Sequence, residues 1–386
     1  MNFELSDEQR LIQDTARRFA ADEIAPTLEE EERRHEFRAL RVAKMGELGF
    51  FSCALPESVG GSGMGFVESV LMAEQIARVS ASWRLPFNMQ NLGPALTVAK
   101  FGSEAQKKKY IPGWVAGTQL GFFAMTEPNT GSDVASMKTH ALERGDHWEV
   151  HGSKMWISQA QVGDAGLLYA YTDREKGNKG ISAFIIEPKR MKGCSARPIE
   201  TKLGLHCAPT GEFVFDGMRV PKENVIGKPG DGFRICMWQL NQTRLGCAAG
   251  ALGVAGGALE LALNYANERK QFGKPIAQHQ MIQAQIADMV VEHQAAQMLV
   301  YRAAWLKDQG RPSQYETSVA KLAASEAAVH AANECMKIFG SYGFSTEYPA
   351  ERFYRDAKSL QIVEGTSNIQ KIIISGMASG ATPNRE

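Results

Sequence analysis

The chain has 386 residues, and its 43 lysines and arginines balance its 43 aspartates and glutamates. A chain of this length exceeds the usual single hydrophobic core, so we expect two or three packed units. The balanced charge, without a long run of either sign, argues against the basic patch on which nucleic-acid and membrane-surface proteins rely. No segment approaches the roughly 20 apolar residues of a membrane span.

Cysteine and histidine spacing gives no sign of disulfide bonds or metal ligands. The six cysteines are scattered without C-x-x-C spacing, which predicts buried free thiols in a reducing cytoplasm. The eight histidines show no H-E-x-x-H pattern, so no metal site is predicted. The first ten residues are polar and acidic, unlike a signal or transit peptide. We therefore expect a cytoplasmic protein.

Residues 1–118 are predicted to form an N-terminal all-α domain. Ser6 and Gln9 have the spacing of a capping box ahead of apolar residues at helical spacing. Pro26 is expected to stop or kink this first helix, and a second is predicted from about residue 28 to 48. The glycine cluster at 60–65 lacks G-x-G-x-x-G spacing and indicates a flexible connection to a further helix.

Residues 119–230 are predicted to form a central β-domain. Short runs at 147–151, 166–171, 181–186 and 212–215 are β-branched or aromatic and are separated by Gly, Pro, Asn and Asp clusters. This pattern is typical of a compact all-β unit with antiparallel pairing.

Residues 231–386 are predicted to form a C-terminal helical bundle domain. Three long amphipathic stretches cover 233–269, 278–308 and 314–339, and their many alanines allow helices to approach closely. The predicted fold class is therefore α+β, with an N-terminal helical domain, a central antiparallel β-domain and a C-terminal four-helix bundle.

Segments rich in Gly, Ser, Thr and aromatic residues stand where a packed core does not need them. In G-S-K-M-W-I-S-Q-A, Trp156 and Ser158 are two apart and are expected to share one strand face, where they suit a flat, hydrogen-bonding ring; a core tryptophan is the alternative. In E-R-K-Q-F-G-K-P, Arg269 suits a pyrophosphate or a solvated helix end. In L-Q-I-V-E-G-T-S-N-I-Q-K, Glu364 suits a proton-abstracting base or an exposed turn residue.

Taken together, the segments T-E-P-N-T-G-S-D, M-W-I-S, R-K-Q-F-G-K-P and I-V-E-G-T-S-N-I-Q closely resemble the acyl-CoA dehydrogenase family, in this order and over the full length. The resemblance implies the same three-domain fold, a bound FAD, a homotetramer and an electron-transferring flavoprotein as electron acceptor. A non-enzymatic flavin-binding or acyl-CoA-binding protein is the alternative of another class, and an oxygen-using oxidase is a third.

The resemblance also implies contacts to FAD. Lys337 and Ser341 depart from the family's usual glutamine and glycine at the adenosine end. The residues that motif matches place in contact with FAD are Phe123, Met125, Thr126, Trp156, Ser158, Arg269, Phe272, Gln280, Gly340, Thr366 and Asn368. Three of these, Arg269, Phe272 and Gln280, are expected to reach the FAD of a neighbouring subunit.

Glu364 falls on the position of the family's catalytic base. The resemblance implies that its carboxylate removes the α-proton of an acyl-CoA while the β-hydrogen leaves as hydride to flavin N5. Some branches carry the base on another helix, at a position occupied here by Thr243. The residues expected to bind substrate are Arg84, Ser132, Asn241, Arg244 and Gly365.

Arg84 indicates the substrate class. By pattern alone it is a surface or salt-bridged arginine, but glutaryl-CoA dehydrogenases carry an arginine at the matching place to hold a distal carboxylate. Val363 and Ala77 stand where decarboxylating members carry tyrosine and glutamate, so we expect oxidation of glutaryl-CoA to stop at glutaconyl-CoA. The alternatives are benzylsuccinyl-CoA, another dicarboxyl thioester, or a short-chain acyl-CoA.

Overall fold

The structure is a computed structural model that describes residues 4–382. Helices occupy both ends of this range, and strands occupy its middle. The α-helices in these residues are α1 (Asp7–Phe19), α2 (Leu28–Arg34), α3 (Ala39–Glu47), α4 (Phe66–Val79), α5 (Ala81–Leu92), α6 (Pro94–Phe101), α7 (Glu104–Val115), α8 (Gly232–Glu268), α9 (Gln280–Asp308), α10 (Gln314–Phe339), α11 (Ala350–Leu360) and α12 (Ser367–Ala378). The strands are β1 (Gly121–Ala124), β2 (His140–Arg144), β3 (His147–Ser158), β4 (Ala165–Tyr171), β5 (Ile181–Ile186), β6 (Cys194–Pro198), β7 (Thr210–Pro221), β8 (Val225–Ile226), β9 (Lys270–Gln271) and β10 (Lys274–Pro275).

The N-terminal helices follow the sequence signals except at one break. Ser6 accepts from the backbone N–H of Gln9 and forms the expected capping box. The single helix predicted over 28–48 is wrong, because His35 takes a left-handed φ of 54° and ends α2. The chain then folds back so that Arg41 of α3 donates to the buried carboxylate of Glu31 at 2.7 Å. This ion pair holds the two helices together.

The central sheet is mostly antiparallel, and it contains parallel pairings that the sequence did not predict. Its strands run in the order β6-β7-β3-β2-β4-β5-β8, with β1 beside β4. The β1–β4 pair is parallel, with Gly121 opposite Ala165, and β2 also meets β4 in parallel at one residue pair. The parallel pairs arise because β1 and β2 approach β4 from non-adjacent parts of the chain, which removes the constraint of a tight hairpin.

The C-terminal bundle agrees with the three predicted stretches to within two residues at each end. By length and composition alone α8 could cross a membrane, contrary to the expectation that no segment approaches such a span. However, 83% of its most apolar window is buried inside the structure, where it packs against α10 and α4. Alanine and glycine along α8 permit this close packing on several sides.

Two adjoining cores position the site. One runs from the N-terminal helices through α8, α9 and α10 to Leu360, and the other joins the sheet to α6, α7 and the start of α8. α8 contributes to both. The turn at 361–366, between α11 and α12, lies beside α8 and is anchored to it by side chains described next.

Candidate active site

Glu364 lies in the turn between α11 and α12 with a left-handed φ of 57°, and Gly365 follows with a φ of 91°. Arg244 donates through Nε to the Glu364 carbonyl at 3.0 Å, and Gln370 donates to the same oxygen at 3.2 Å. Thr366 caps α12 by accepting from the backbone N–H of Ile369. Side chains from two helices thus stabilise an uncommon backbone conformation, which is typical of functional positions.

The Glu364 carboxylate faces α8 and is half-buried. Its Oε2 accepts a hydrogen bond of 2.8 Å from the Thr243 hydroxyl. Burial raises the pKa of Glu364, while the Thr243 hydrogen bond and the Arg244 and Arg84 guanidinium groups act in the opposite direction. The exposed-turn alternative is therefore wrong, since the carboxylate is half-buried and hydrogen-bonded to α8.

Arg84 is buried on α5, with 2% of its surface exposed. Within residues 4–382, neither its Nε nor its Nη2 has a hydrogen-bond partner. The surface or salt-bridged interpretation of this arginine is therefore wrong. A buried guanidinium without a partner is costly, and an anionic ligand group is the natural way to satisfy it. The positive charge of Arg84 acts to lower the pKa of Glu364, against the effect of burial.

A buried amine supports the loop that follows β1. The Lys154 Nζ donates to the Met125 carbonyl and to Glu127 Oε1, each at 2.9 Å. Glu127 in turn accepts from the backbone N–H of Thr139 at 2.9 Å. Burial lowers the pKa of Lys154 to about 8, although Glu127 opposes the change. Its hydrogen bonds to the Met125 carbonyl and to Glu127 fix the backbone of the loop.

Trp156 projects from an irregularity in β3. The register against β7 shifts between Lys154 and Ile157, and Trp156 has a φ of 62° with 53% of its surface exposed. The exposed Trp156 and the half-buried Ser158 flank the buried Ile157, so side chains alternate between the two faces over these three residues. The core-tryptophan alternative is wrong, since the indole is open to solvent.

The residues around Trp156 form one surface. The Met155 N–H donates to the Thr126 carbonyl at 2.8 Å, so the loop after β1 lies directly against the bulge. Phe123, Thr126 and Ser158 are half-buried, and Met125 is buried. An exposed indole beside hydroxyls and an apolar floor has the properties needed to bind a flat, polar-edged ring system.

A second group of predicted residues lies at the β9–β10 hairpin and the loop after α10. Phe272 has a φ of 52° at the tip of the hairpin and is 93% exposed. The Arg269 guanidinium stands 5.7 Å from the ring centre of Tyr342, two residues after Gly340. Gln280 opens α9 and is exposed. These residues project outward from their own chain.

The remaining predicted residues differ in exposure. Ser132 is exposed in the loop after β1, and Asn368 is exposed in the first turn of α12. Asn241 is buried on α8, and neither of its amide atoms has a hydrogen-bond partner in the described part of the chain. The Gly365 carbonyl accepts from the buried Lys321 at 2.8 Å. The buried amide of Asn241, on the helix that carries Thr243, can therefore take a polar ligand group as its partner.

Sequence reasoning missed several supporting residues. Lys321, Lys154 and Gln370 were not singled out, and Thr243 was noted only as the place of an alternative base. Lys154 lies inside the segment G-S-K-M-W-I-S-Q-A and Gln370 inside I-V-E-G-T-S-N-I-Q. The signal for Thr243 was the polar run N-Q-T-R at 241–244, which interrupts an otherwise apolar helix. Buried polar residues of this kind require partners, and here one partner is the proposed base.

The acyl-CoA dehydrogenase N-terminal, middle and C-terminal domain families match residues 6–118, 122–218 and 230–378. Glutaryl-CoA dehydrogenase from Desulfococcus multivorans is 47% identical over 379 residues, which cover 97% of both chains. The mitochondrial short-chain specific acyl-CoA dehydrogenase of Mus musculus is 41% identical over 376 residues, which cover 97% of this chain and 90% of that protein.

The structural comparison agrees. A solved glutaryl-coenzyme A dehydrogenase glutaryl-CoA complex superposes with a TM-score of 0.98 at 46% identity, covering 100% of this chain and 98% of that chain. This confirms the three-part fold that the sequence predicted. The chain belongs to the acyl-CoA dehydrogenase family and is an oxidoreductase that acts on the CH–CH bond of acyl-CoA thioesters.

Proposed function

We propose that this protein catalyses the FAD-dependent α,β-dehydrogenation of an acyl-CoA that carries a distal carboxylate, with glutaryl-CoA oxidised to glutaconyl-CoA and no decarboxylation. The observation that carries the proposal is Arg84, a buried guanidinium with two unpartnered nitrogen atoms in the described residues. A substrate carboxylate would supply the anion that the protein does not. The 47% identical relative, itself a glutaryl-CoA dehydrogenase, supports the same substrate.

The cofactor assignment rests on the surface around Trp156. We propose that Trp156 packs on the flavin, with Thr126 and Ser158 at its polar edge and the loop of Phe123 and Met125 beside it. The exposed indole and half-buried hydroxyls fit such a ring. Bound FAD supplies a hydride acceptor for the β-hydrogen. We further propose that Thr366 and Asn368 hold its phosphate or ribose.

The outward-facing hairpin supports an assembly. We propose that Phe272, Arg269 and Gln280 reach the FAD of a neighbouring subunit in a homotetramer, with Gly340 at the adenosine end. Phe272, which is 93% exposed at the hairpin tip, presents an apolar ring that contact with another subunit would remove from water. We propose an electron-transferring flavoprotein as the electron acceptor and a cytoplasmic location, both on family membership.

Glu364 is the proposed base. Its carboxylate takes the α-proton, and Thr243 holds Oε2 in place while leaving the other oxygen available. Desolvation makes the carboxylate a stronger base than it would be in water, which favours abstraction of a weakly acidic C–H proton. Asn241, Arg244, Ser132 and Gly365 are proposed to contact the CoA and acyl portions.

The proposal that decarboxylation does not follow rests on two apolar residues. Val363 is half-buried immediately before the base and packs against the core, and Ala77 is fully buried on α4. Neither side chain can donate or relay a proton. A dienolate left by loss of CO₂ would need a proton at its far carbon, so the absence of donors at both places favours release of glutaconyl-CoA.

The test is anaerobic reduction of the purified flavoprotein with a panel of CoA thioesters, followed by identification of the products. We expect rapid bleaching with glutaryl-CoA, slow bleaching with butyryl-CoA, and glutaconyl-CoA as the product. Crotonyl-CoA as the main product would overturn the claim about decarboxylation. Faster bleaching with benzylsuccinyl-CoA would make that thioester the proposed substrate in place of glutaryl-CoA. The proposed role of Arg84 would be unchanged.

Substitution of Arg84 by alanine tests the carboxylate anchor. We expect kcat/KM for glutaryl-CoA to fall about a hundredfold or more relative to butyryl-CoA, since a buried ion pair loses one partner. Arg78→Ala is the matched control, because that arginine is already paired with Glu260 at 3.1 Å. Equal losses for both substrates in Arg84→Ala would instead favour a short-chain acyl-CoA, the substrate class of the 41% identical mouse relative.

A further inference from the structure

Two polar side chains of helix α5 pack against two glycines of α8. Arg84 and Asn88 are one helical turn apart on α5, and Gly250 and Gly246 are one turn apart on α8. A Cβ atom built on Gly250 would lie 2.6 Å from Arg84 Cδ, 2.7 Å from its Nε and 2.8 Å from its Cγ. One built on Gly246 would collide with the Asn88 amide oxygen. The arginine therefore occupies space that any other residue at 250 would fill.

The contact involves the middle of the arginine and not its tip. All three atoms nearest to position 250 belong to the stem and the first nitrogen, and Arg84 is buried on every side. The side chain cannot swing into solvent to relieve a collision. An added methyl group must therefore displace the guanidinium or separate α5 from α8, since protein cores leave little free volume.

We propose that Gly250 is a specificity-determining residue: the absence of a side chain at this position seats the Arg84 guanidinium where it meets the distal carboxylate of the substrate. Gly250 acts through Arg84 and touches no reacting atom. The inference rests on the proposed function, since it concerns recognition of that carboxylate. A displacement of about 1 Å in a binding group can cost roughly a hundredfold in rate, so one methyl group at this place is sufficient.

The experiment compares Gly250→Ala, Arg84→Ala and the double variant, each as the purified flavoprotein with glutaryl-CoA and butyryl-CoA. We expect Gly250→Ala to lower the ratio of the two kcat/KM values by about tenfold or more. In the double variant the ratio should equal that of Arg84→Ala alone, because alanine at 250 has no arginine left to displace. Flavin content and thermal unfolding show whether each variant is folded.

Gly246→Ala is the matched control on the same helix pair. It meets Asn88, whose amide donates to the Thr243 carbonyl at 3.1 Å, so it should lower kcat/KM for both substrates by a similar factor. An unchanged ratio in Gly250→Ala overturns the proposal. So does a selective loss of glutaryl-CoA activity in Gly246→Ala, because any disturbance of the helix pair would then have that effect.

Loss of folding also has a defined meaning. If Gly250→Ala fails to fold but the double variant folds, the collision is with the Arg84 side chain, which supports the displacement on which the proposal depends. If both fail to fold, Gly250 serves the packing of the helices and the proposal falls. An unchanged ratio in Arg84→Ala alone would overturn the proposed substrate, whereas an unchanged ratio confined to Gly250→Ala would overturn only the role of Gly250.

Discussion

Replacing Thr243 by valine is expected to make the enzyme more sensitive to acid. The Thr243 hydroxyl donates to Glu364 Oε2 at 2.8 Å, and this hydrogen bond favours the ionised carboxylate. Because burial already raises the pKa of Glu364, loss of the bond raises it further. Proton abstraction requires the ionised form of Glu364. In the pH profile of kcat/KM, the acid limb should therefore move to higher pH, while the plateau at high pH is retained.

The size of the effect follows from the hydrogen bond. A net hydrogen bond to a charged group contributes about 1.5–3 kcal/mol, and we take the lower end because Glu364 is only half-buried. A factor of ten corresponds to about 1.4 kcal/mol, so kcat/KM on the acid limb should fall about tenfold in Thr243→Val.

The assay is the pH profile of kcat/KM for wild type, Thr243→Val and Thr243→Ser, each with the same acyl-CoA and artificial acceptor. Serine keeps the hydroxyl, so its acid limb should coincide with that of the wild type within a few-fold change in rate. The reasoning is refuted if the acid limb of the pH profile is unchanged in Thr243→Val, or if it moves equally in Thr243→Ser. In either case the Thr243 hydrogen bond does not set the ionisation of Glu364.

Three further predictions concern other buried groups. Glu364→Gln should lower kcat by about a hundredfold to ten-thousandfold while FAD content is unchanged, measured by turnover and absorbance. Lys154→Met should lower the free energy of unfolding by about 3–5 kcal/mol and reduce flavin content, because Glu127 is left as an uncompensated buried charge. Denaturant unfolding measures the change in stability, and an unchanged free energy of unfolding would contradict the prediction. Burial and the Glu32 carboxylate raise the pKa of Asp356 to about 7, so the native state binds the proton more tightly than the unfolded state and stability falls as pH rises from about 4 to 7. Asp356→Asn should flatten that fall in thermal scans at pH 5 and pH 8.

Local signals predicted much of the fold because they were repeated over many residues. Helix α10 was predicted with both ends correct, since its apolar period runs from Gln314 to Phe339 and a glycine follows. The break between α2 and α3 was missed, because it depends on the buried pair of Glu31 with Arg41, ten residues away. Long-range contacts of this kind leave no mark on local periodicity.

The same distinction applies to the site. The local sequence around Glu364 resembles that of an exposed turn. Only the hydrogen bond with Thr243, 121 residues earlier, places its carboxylate against a buried partner. The exposure of Trp156 depends on a register shift in β3, which regular strand alternation does not predict. Motif resemblance identified both residues, whereas the geometry that makes them chemically useful comes from tertiary packing.

The arrangement of Arg84 and Asn88 on α5 has a consequence for chain length. Asn88 supports the Thr243 carbonyl, and Thr243 holds the carboxylate of Glu364, so one helix carries both the proposed anchor and the first support of the base. Four residues of α-helix fix the two positions about 6 Å apart along its axis. Under the proposed function, α5 sets the anchor and the support of the base at a fixed separation, so a dicarboxyl thioester one methylene shorter or longer than glutaryl-CoA should be oxidised more slowly.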